Sequence, residues 1–183
     1  MWRCKNWPEW ERSLLKEILL DRPAIDVRDH SEFDALVVRT DYDHPDAWAA
    51  IRQELARPMD IPEADPPNPL VVDDPAWAGA SWEEVIAALS VPSGEERPSV
   101  VLLADSIAMT SETHQLLAVD VDRLLDPEED DDEPDGEELE DDEAWDGREA
   151  PLVGRVSASQ AESMAVNLAL ANMDFDEFIE AEA

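Results

Sequence analysis

Between positions 126 and 146 the chain holds 15 acidic side chains and no lysine or arginine. Like charges at that density repel one another. Only Leu139, Ala144 and Trp145 offer apolar area, too little to offset the entropy lost on ordering. Residues 126–147 are therefore expected to form a disordered acidic insertion, and any core must be assembled from the sequence on either side. Removing those 15 acids leaves 32 against 13 Lys and Arg, so the remainder still carries about −19 of the total −34. Both parts repel nucleic-acid phosphate and anionic membranes, which argues against direct nucleic-acid binding and against a membrane-surface role. The charge suits a basic protein partner, cations, or solubility alone.

The sequence contains 183 residues, 44% of them hydrophobic, enough for one core and short for two. No apolar run approaches the roughly 20 residues of a membrane helix. The opening segment, Met1 to Glu9, is polar, and the single cysteine, Cys4, allows neither an internal disulfide nor a cysteine zinc cage. These features predict a cytoplasmic protein.

Two segments are expected, 1–34 and 35–183. In the first, Trp7, Trp10, Leu14 and Ile18 recur near helical spacing after Pro8, predicting an amphipathic helix over 8–20 followed by a linker. The α/β body begins at Ala35. A β-rich run over 35–40 leads to a helix over 45–56 with Trp48, Ile51 and Leu55 on its buried face. Five prolines mark 58–69 as a loop. A second strand at 70–72 precedes a helix opened by Ser81-x-x-Glu84, a capping box in which each residue satisfies the other's backbone N–H.

The run 99–104 is apolar at every position, as befits a central strand covered on both faces. In 116–122, Leu117, Val119 and Val121 alternate with Ala118, Asp120 and Asp122, predicting an antiparallel strand with one wet face near an edge. Residues 151–156 resume the sheet beyond the insertion. Ser157-x-x-Gln160 reads as a second capping box, Asn172 as the left-handed residue ending that helix, and Asp174 as the start of a last short one.

The order βαβαββ(β)αα implies a single α/β domain with a mixed sheet of four to five strands. A thioredoxin-like arrangement has a similar order, and Pro98 lies where such folds often keep a cis-proline. Without a Cys-x-x-Cys pair, thiol redox chemistry is excluded.

Several strings together resemble a bacterial family catalogued as domain of unknown function 6924. They are Leu36-Val37-Val38-Arg39-Thr40-Asp41-Tyr42 with Asp46-Ala47-Trp48, then Val71 through Gly79, then Asp105 through His114 with Leu116 to Asp120, and finally Asn167 through Phe178. The blocks fall in order over about 35–180. The N-terminal helix and the acidic insertion look extra. The resemblance implies one domain and carries over no activity and no catalytic residue.

Aspartates gather where strands are expected to end: Asp41 and Asp43, Asp73 and Asp74, and Asp105. Ligands of open α/β sheets sit beyond the carboxyl ends of parallel strands, and carboxylates there suit Mg²⁺. Asp41, Asp43, Asp73 and Asp74 are thus the candidate metal ligands. Against this, Asp is also a favoured cap and turn former: Asp43 or His44 suits the Pro45 helix, and Asp73 and Asp74 suit the turn before Pro75. Asp105 belongs with the metal candidates only if its strand is parallel to the first.

His30, His44 and His114 show no metal-binding spacing, and Ser111 with His114 lacks a nucleophile elbow. No glycine pattern builds a phosphate loop, so no cofactor is called for. Trp48, Trp77 and Trp82 are expected in the core, whereas Trp145 within the acidic run suits an anchor on a partner or a basic groove. The best reading is an acidic interaction module, of the inhibitor or immunity type, that binds a basic protein. A metal-dependent enzyme at the strand-end aspartates and a nucleic-acid mimic are the alternatives.

Overall fold

The computed structural model describes residues 22–28, 31, 33–57, 68–91, 97–125 and 152–179. The expected helix over 8–20, most of the proline loop, Cys4, His30, Trp145 and the acidic insertion lie outside these residues.

Five strands make the main sheet: β2 (Leu36–Arg39), β3 (Leu70–Val72), β5 (Val100–Ala104), β6 (Gln115–Asp120) and β7 (Val153–Ser157). Two short ones, β1 (Ile25–Asp26) and β4 (Leu89–Ser90), pair in parallel beside it. The main order is β3-β2-β5-β6-β7. β2 runs parallel to β3 and to β5, whereas β6 is antiparallel to β5 and to β7. Counted within the sheet this is the doubly wound order 2-1-3-4-5, with its topological switch between β2 and β5.

Period-two alternation distributes the apolar strand residues between two cores. Val37, Leu102, Leu116, Ala118 and Val156 face one core, which is closed by α1 (Pro45–Leu55), α3 (Ser106–Thr110) and α5 (Ala161–Ala169). Leu36, Val38, Val101, Leu103 and Val119 face the other, closed by α2 (Trp82–Ala87), Trp77, Ile25 of β1 and the following Val27. The two crossover helices, α1 and α2, therefore lie on opposite faces. Crossovers of one hand that run in opposite directions along a sheet require this. Each fully buried Leu or Val contributes about 1.5–3 kcal/mol, and truncating Leu102 to alanine at the centre costs about 2–5 kcal/mol.

Residues 22–28, ahead of the expected start at Ala35, pack into the second core, with Ile25 and Val27 buried. Arg22 secures them by bonding Glu84 and the Ala76 carbonyl while stacking on Trp77. The Ser81–Glu84 capping box is present as predicted. Pro98 offers no cis bond, since none occurs among the described residues.

Several local readings are corrected. Residues 106–110, to which the sequence assigned no element, form the helix α3, and the Asp105 carboxylate caps them by accepting the Ala108 N–H. β6 has no wet face: Ala118 and Asp120 are buried beneath the first core's helices, and β7 covers its edge. The strand stops at Asp120, and Val121–Leu125 turn into a short helix, α4. Ser157 caps nothing; its hydroxyl donates to Gln160 Oε1, and a 3-10 turn over Ala158–Gln160 comes before α5. The left-handed residue after α5 is Ala171, φ +50°, one place before Asn172. There the Asn172 N–H reaches the Asn167 carbonyl and the Ala171 N–H the Leu168 carbonyl, a Schellman closure that fixes the position.

Candidate functional site

The parallel trio β3, β2 and β5 sends three carboxyl ends to one edge, so Asp41, Asp73 and Asp105 emerge on the same side of the sheet. Backbone bonds from the Thr40 and Asp41 N–H groups to the Ala104 carbonyl extend the β2–β5 pairing past the last strand residue. The chain then diverges toward α1 and α3, opening the switch-point crevice where ligands of such sheets bind.

Arg39, at the end of β2, organises this edge. Its side chain is buried, with the guanidinium 4.2 Å from the Tyr42 ring centroid and 5.3 Å from that of Trp48. Nε donates to the Asp41 carbonyl at 2.8 Å and NH1 to Asp73 Oδ1 at 3.2 Å. The other Asp73 oxygen accepts the Trp48 indole N–H at 2.8 Å. Asp73 is thus held by a cation and an indole, both supplied by the fold. Burial raises the Tyr42 phenol to about 12, with the Asp73 charge adding to it and Arg39 opposing. Its hydroxyl is buried without a hydrogen-bond partner.

The remaining acids are committed locally. Asp41 Oδ1 accepts the Asp43 N–H at 2.9 Å and the His44 Nδ1–H at 3.0 Å. Partial burial pushes this carboxyl up, but those bonds outweigh it and leave its pKa below the usual value. The N-cap of α1 is His44, whose side chain turns to Asp41 and makes no capping bond to the helix. Asp74 caps the Pro75–Trp77 turn through the Ala76 N–H. Asp105, on the parallel strand after all, takes two bonds from Arg155, at 2.9 and 2.7 Å.

The structure brings Asp73 to Arg39 and leaves Asp41 and Asp43 together on one turn and Asp74 on another. Among the described residues no three His, Cys, Asp or Glu side chains converge on a point that would hold a metal. Ser111 and His114 are adjacent but both bond the Ala108 carbonyl, and Ser111 Oγ also accepts the Gln115 N–H. That geometry ties the loop and gives the hydroxyl no base.

Sequence reasoning passed over Arg39 and Arg155. The available signal was scarcity: a base at the end of an apolar strand, in a chain with 13 Lys and Arg and 47 acids, has carboxylates all around it.

The family described as Domain of unknown function (DUF6924) matches over residues 34–183. The chain belongs to this family. No curated protein and no solved structure matches it. The DUF6924 match takes in the whole main sheet, both strand edges and the insertion, while Arg22 and β1 lie ahead of it. Among the described residues no helix is long and apolar enough to cross a membrane.

Proposed function

We propose that this DUF6924 protein is an acidic interaction module that captures a basic protein partner in the cytoplasm. One observation carries the reading: among the described residues nine acids are exposed to water, against three arginines, Arg28, Arg52 and Arg57. The described residues include 18 acids and 8 arginines. Six of those arginines are in ion pairs with Glu84, Asp26, Asp73, Asp122, Asp120 and Asp105. Asp43, Asp46, Glu112, Asp176 and Glu177 stay exposed. The acidic run over 126–146 adds to the same field.

A surface of one sign steers an oppositely charged partner, raises its association rate and makes binding salt-sensitive. The strand-end acids, which an enzyme would leave open to substrate, are held by Arg39, Trp48, His44 and Arg155. Affinity capture with the full chain from native lysate tests the reading. A stoichiometric basic partner should be retained at low salt and released at high salt. Recovery of none at low salt counts against it.

A further inference from the structure

The two edge strands of the main sheet, β3 and β7, differ in what they leave unpaired. In β3 the Leu70 N–H bonds the Ala35 carbonyl, so Leu70 and Val72 turn toward β2 and only Val71 turns outward. Beside β7 the Asp120 N–H bonds the Leu152 carbonyl and the Ala158 N–H the His114 carbonyl. That alternation directs Gly154 and Val156 to β6, and Val153, Arg155 and Ser157 outward. Among the described residues, the N–H groups of these three and the carbonyls of Val153 and Arg155 make no hydrogen bond.

Such a row of unpaired groups is a template for another strand, and sheets commonly blunt it with lysine, proline or a bulge. Val153–Ser157 holds no lysine and no proline, and its register with β6 is one-to-one over all five residues. Arg155, the base it does hold, is turned to Asp105. The charge beside this edge selects what can occupy it. Ile179 lies over Gly154, so Asp176 and Glu177, both exposed, are at most about 10 Å of chain away. A second copy brings a charge of −34 to the same place, and residues 126–146 bring 15 acids and no lysine or arginine, so both are repelled. A basic segment is attracted.

We infer that the outer edge of β7 takes an extended basic segment of the partner as a further strand of the sheet, an inference that rests on the interaction-module reading above. Main-chain bonds to Val153, Arg155 and Ser157 supply the affinity, and side chains at alternate positions supply the selectivity. On one face of the added strand, apolar side chains meet Ile179 and basic ones meet Asp176 and Glu177. On the other face the neighbour is Val153, which packs on the second core.

A short blocked peptide alternating valine and lysine, titrated into the full chain at low salt, tests this. Amide exchange at Val153, Arg155 and Ser157 should slow on binding. Ser157 has a φ of −66°, which proline shares, and its N–H bonds nothing in the sheet. Ser157→Pro therefore removes an outward donor without breaking a ladder bond, whereas Ser157→Ala removes the hydroxyl alone. The proline variant should weaken the peptide at least about fivefold and the alanine variant less than about twofold. Asp176→Asn with Glu177→Gln, which keeps the acceptor for the Asp174 N–H, should weaken it at least about threefold. Asp43→Asn with Asp46→Asn, an equal charge change elsewhere, should weaken it less than about twofold. Equal affinities of Ser157→Pro and Ser157→Ala, or exchange slowed only within 126–146, overturn the edge while leaving the acidic module standing. Wild-type dimers in sedimentation that Ser157→Pro dissociates also overturn it, in favour of a second copy. A wild-type chain that binds no peptide at low salt removes the module reading itself. Melting curves of each variant separate lost binding from lost folding.

Discussion

Arg155 and Asp105 face each other through two parallel hydrogen bonds across β6, joining residues 50 apart in sequence. The pair fastens β7, where the chain re-enters the sheet after the acidic run, to the end of the central strand. Both side chains are largely buried, at 12% and 23% exposure, and Asp105 also caps α3. Removing one member therefore strands the other. Asp105→Ala should cost about 2–4 kcal/mol by losing fork and cap together. Asp105→Ser, which keeps a cap acceptor, should cost about 1 kcal/mol less. A double-mutant cycle with Arg155→Met by urea denaturation should return about 1–3 kcal/mol of coupling. A coupling near zero would mean that the fork does not hold the strand.

Tyr42 is the only tyrosine in the chain, so tyrosinate absorbance reports on it alone. With its phenol raised to about 12 by burial, the folded protein should show no tyrosinate until well above the ordinary value of 10. The unfolded chain releases that proton first. The folded state therefore holds more protons between these values, and stability falls as pH rises through the window. Tyr42→Phe should be neutral or slightly stabilising, because the buried hydroxyl makes no hydrogen bond. A folded-state midpoint near 10 contradicts this environment.

The switch-point acids also make a prediction about metals. Mg²⁺ at Asp73 would have to displace both Arg39 and the Trp48 indole. Millimolar Mg²⁺ or Mn²⁺ should leave the melting temperature within about 1 °C of its metal-free value. A saturable rise that Asp41→Asn or Asp73→Asn abolishes would restore the metal-enzyme reading.

The parts of the fold that could be read from the sequence are those fixed by local periodicity. The uninterrupted Val100–Ala104 run announces a strand buried on both faces, and Trp48, Ile51 and Leu55 announce the face of α1. What could not be read depends on partners far along the chain. The alternation of Leu117 and Val119 with Ala118 and Asp120 suggested a wet face, yet a strand flanked on both sides and packed by α5 hides both. Arg39 and Arg155 escaped because nothing near them in sequence shows that Asp73 and Asp105 will lie within reach. The Ala171 corner escaped because the Schellman closure chose position over residue preference, placing an alanine where glycine or asparagine is usual.

Two carboxyls set an acid-side trend. Burial raises the pKa of Asp120, and burial together with the nearby Asp34 charge raises that of Glu162, whose Oε2 is buried without a partner. Their unfolded values are near 3.8 and 4.5. As pH falls toward those values, the folded state takes up protons before the unfolded state does. Stability therefore rises as pH falls through the folded pKa values, and the gain is lost on returning to neutral pH. Asp120→Asn with Glu162→Gln should raise the melting temperature at pH 7 by about 2–4 °C for each kcal/mol of burial cost removed. The difference between variant and wild type should shrink toward pH 4. A difference that stays constant with pH would place the effect in packing rather than protonation.

Gly154 in β7 is required by a close approach rather than by its backbone angle. A Cβ placed there would stand 2.5 Å from Ile179 Cγ2 and 2.6 Å from Ile179 Cβ. The second distance matters more, because Cβ moves only with the backbone, so no rotamer of Ile179 relieves the clash. Gly154→Ala should therefore push the Ile179 segment off the sheet and cost about 1–3 kcal/mol. Ile179→Gly alone should cost less, since that side chain is only partly buried. The double variant should recover most of the loss caused by Gly154→Ala, because the added methyl then fills the space that Ile179 vacates. Thermal melts of the four proteins check this, and a double variant no more stable than Gly154→Ala would show that the glycine serves the strand backbone rather than this contact.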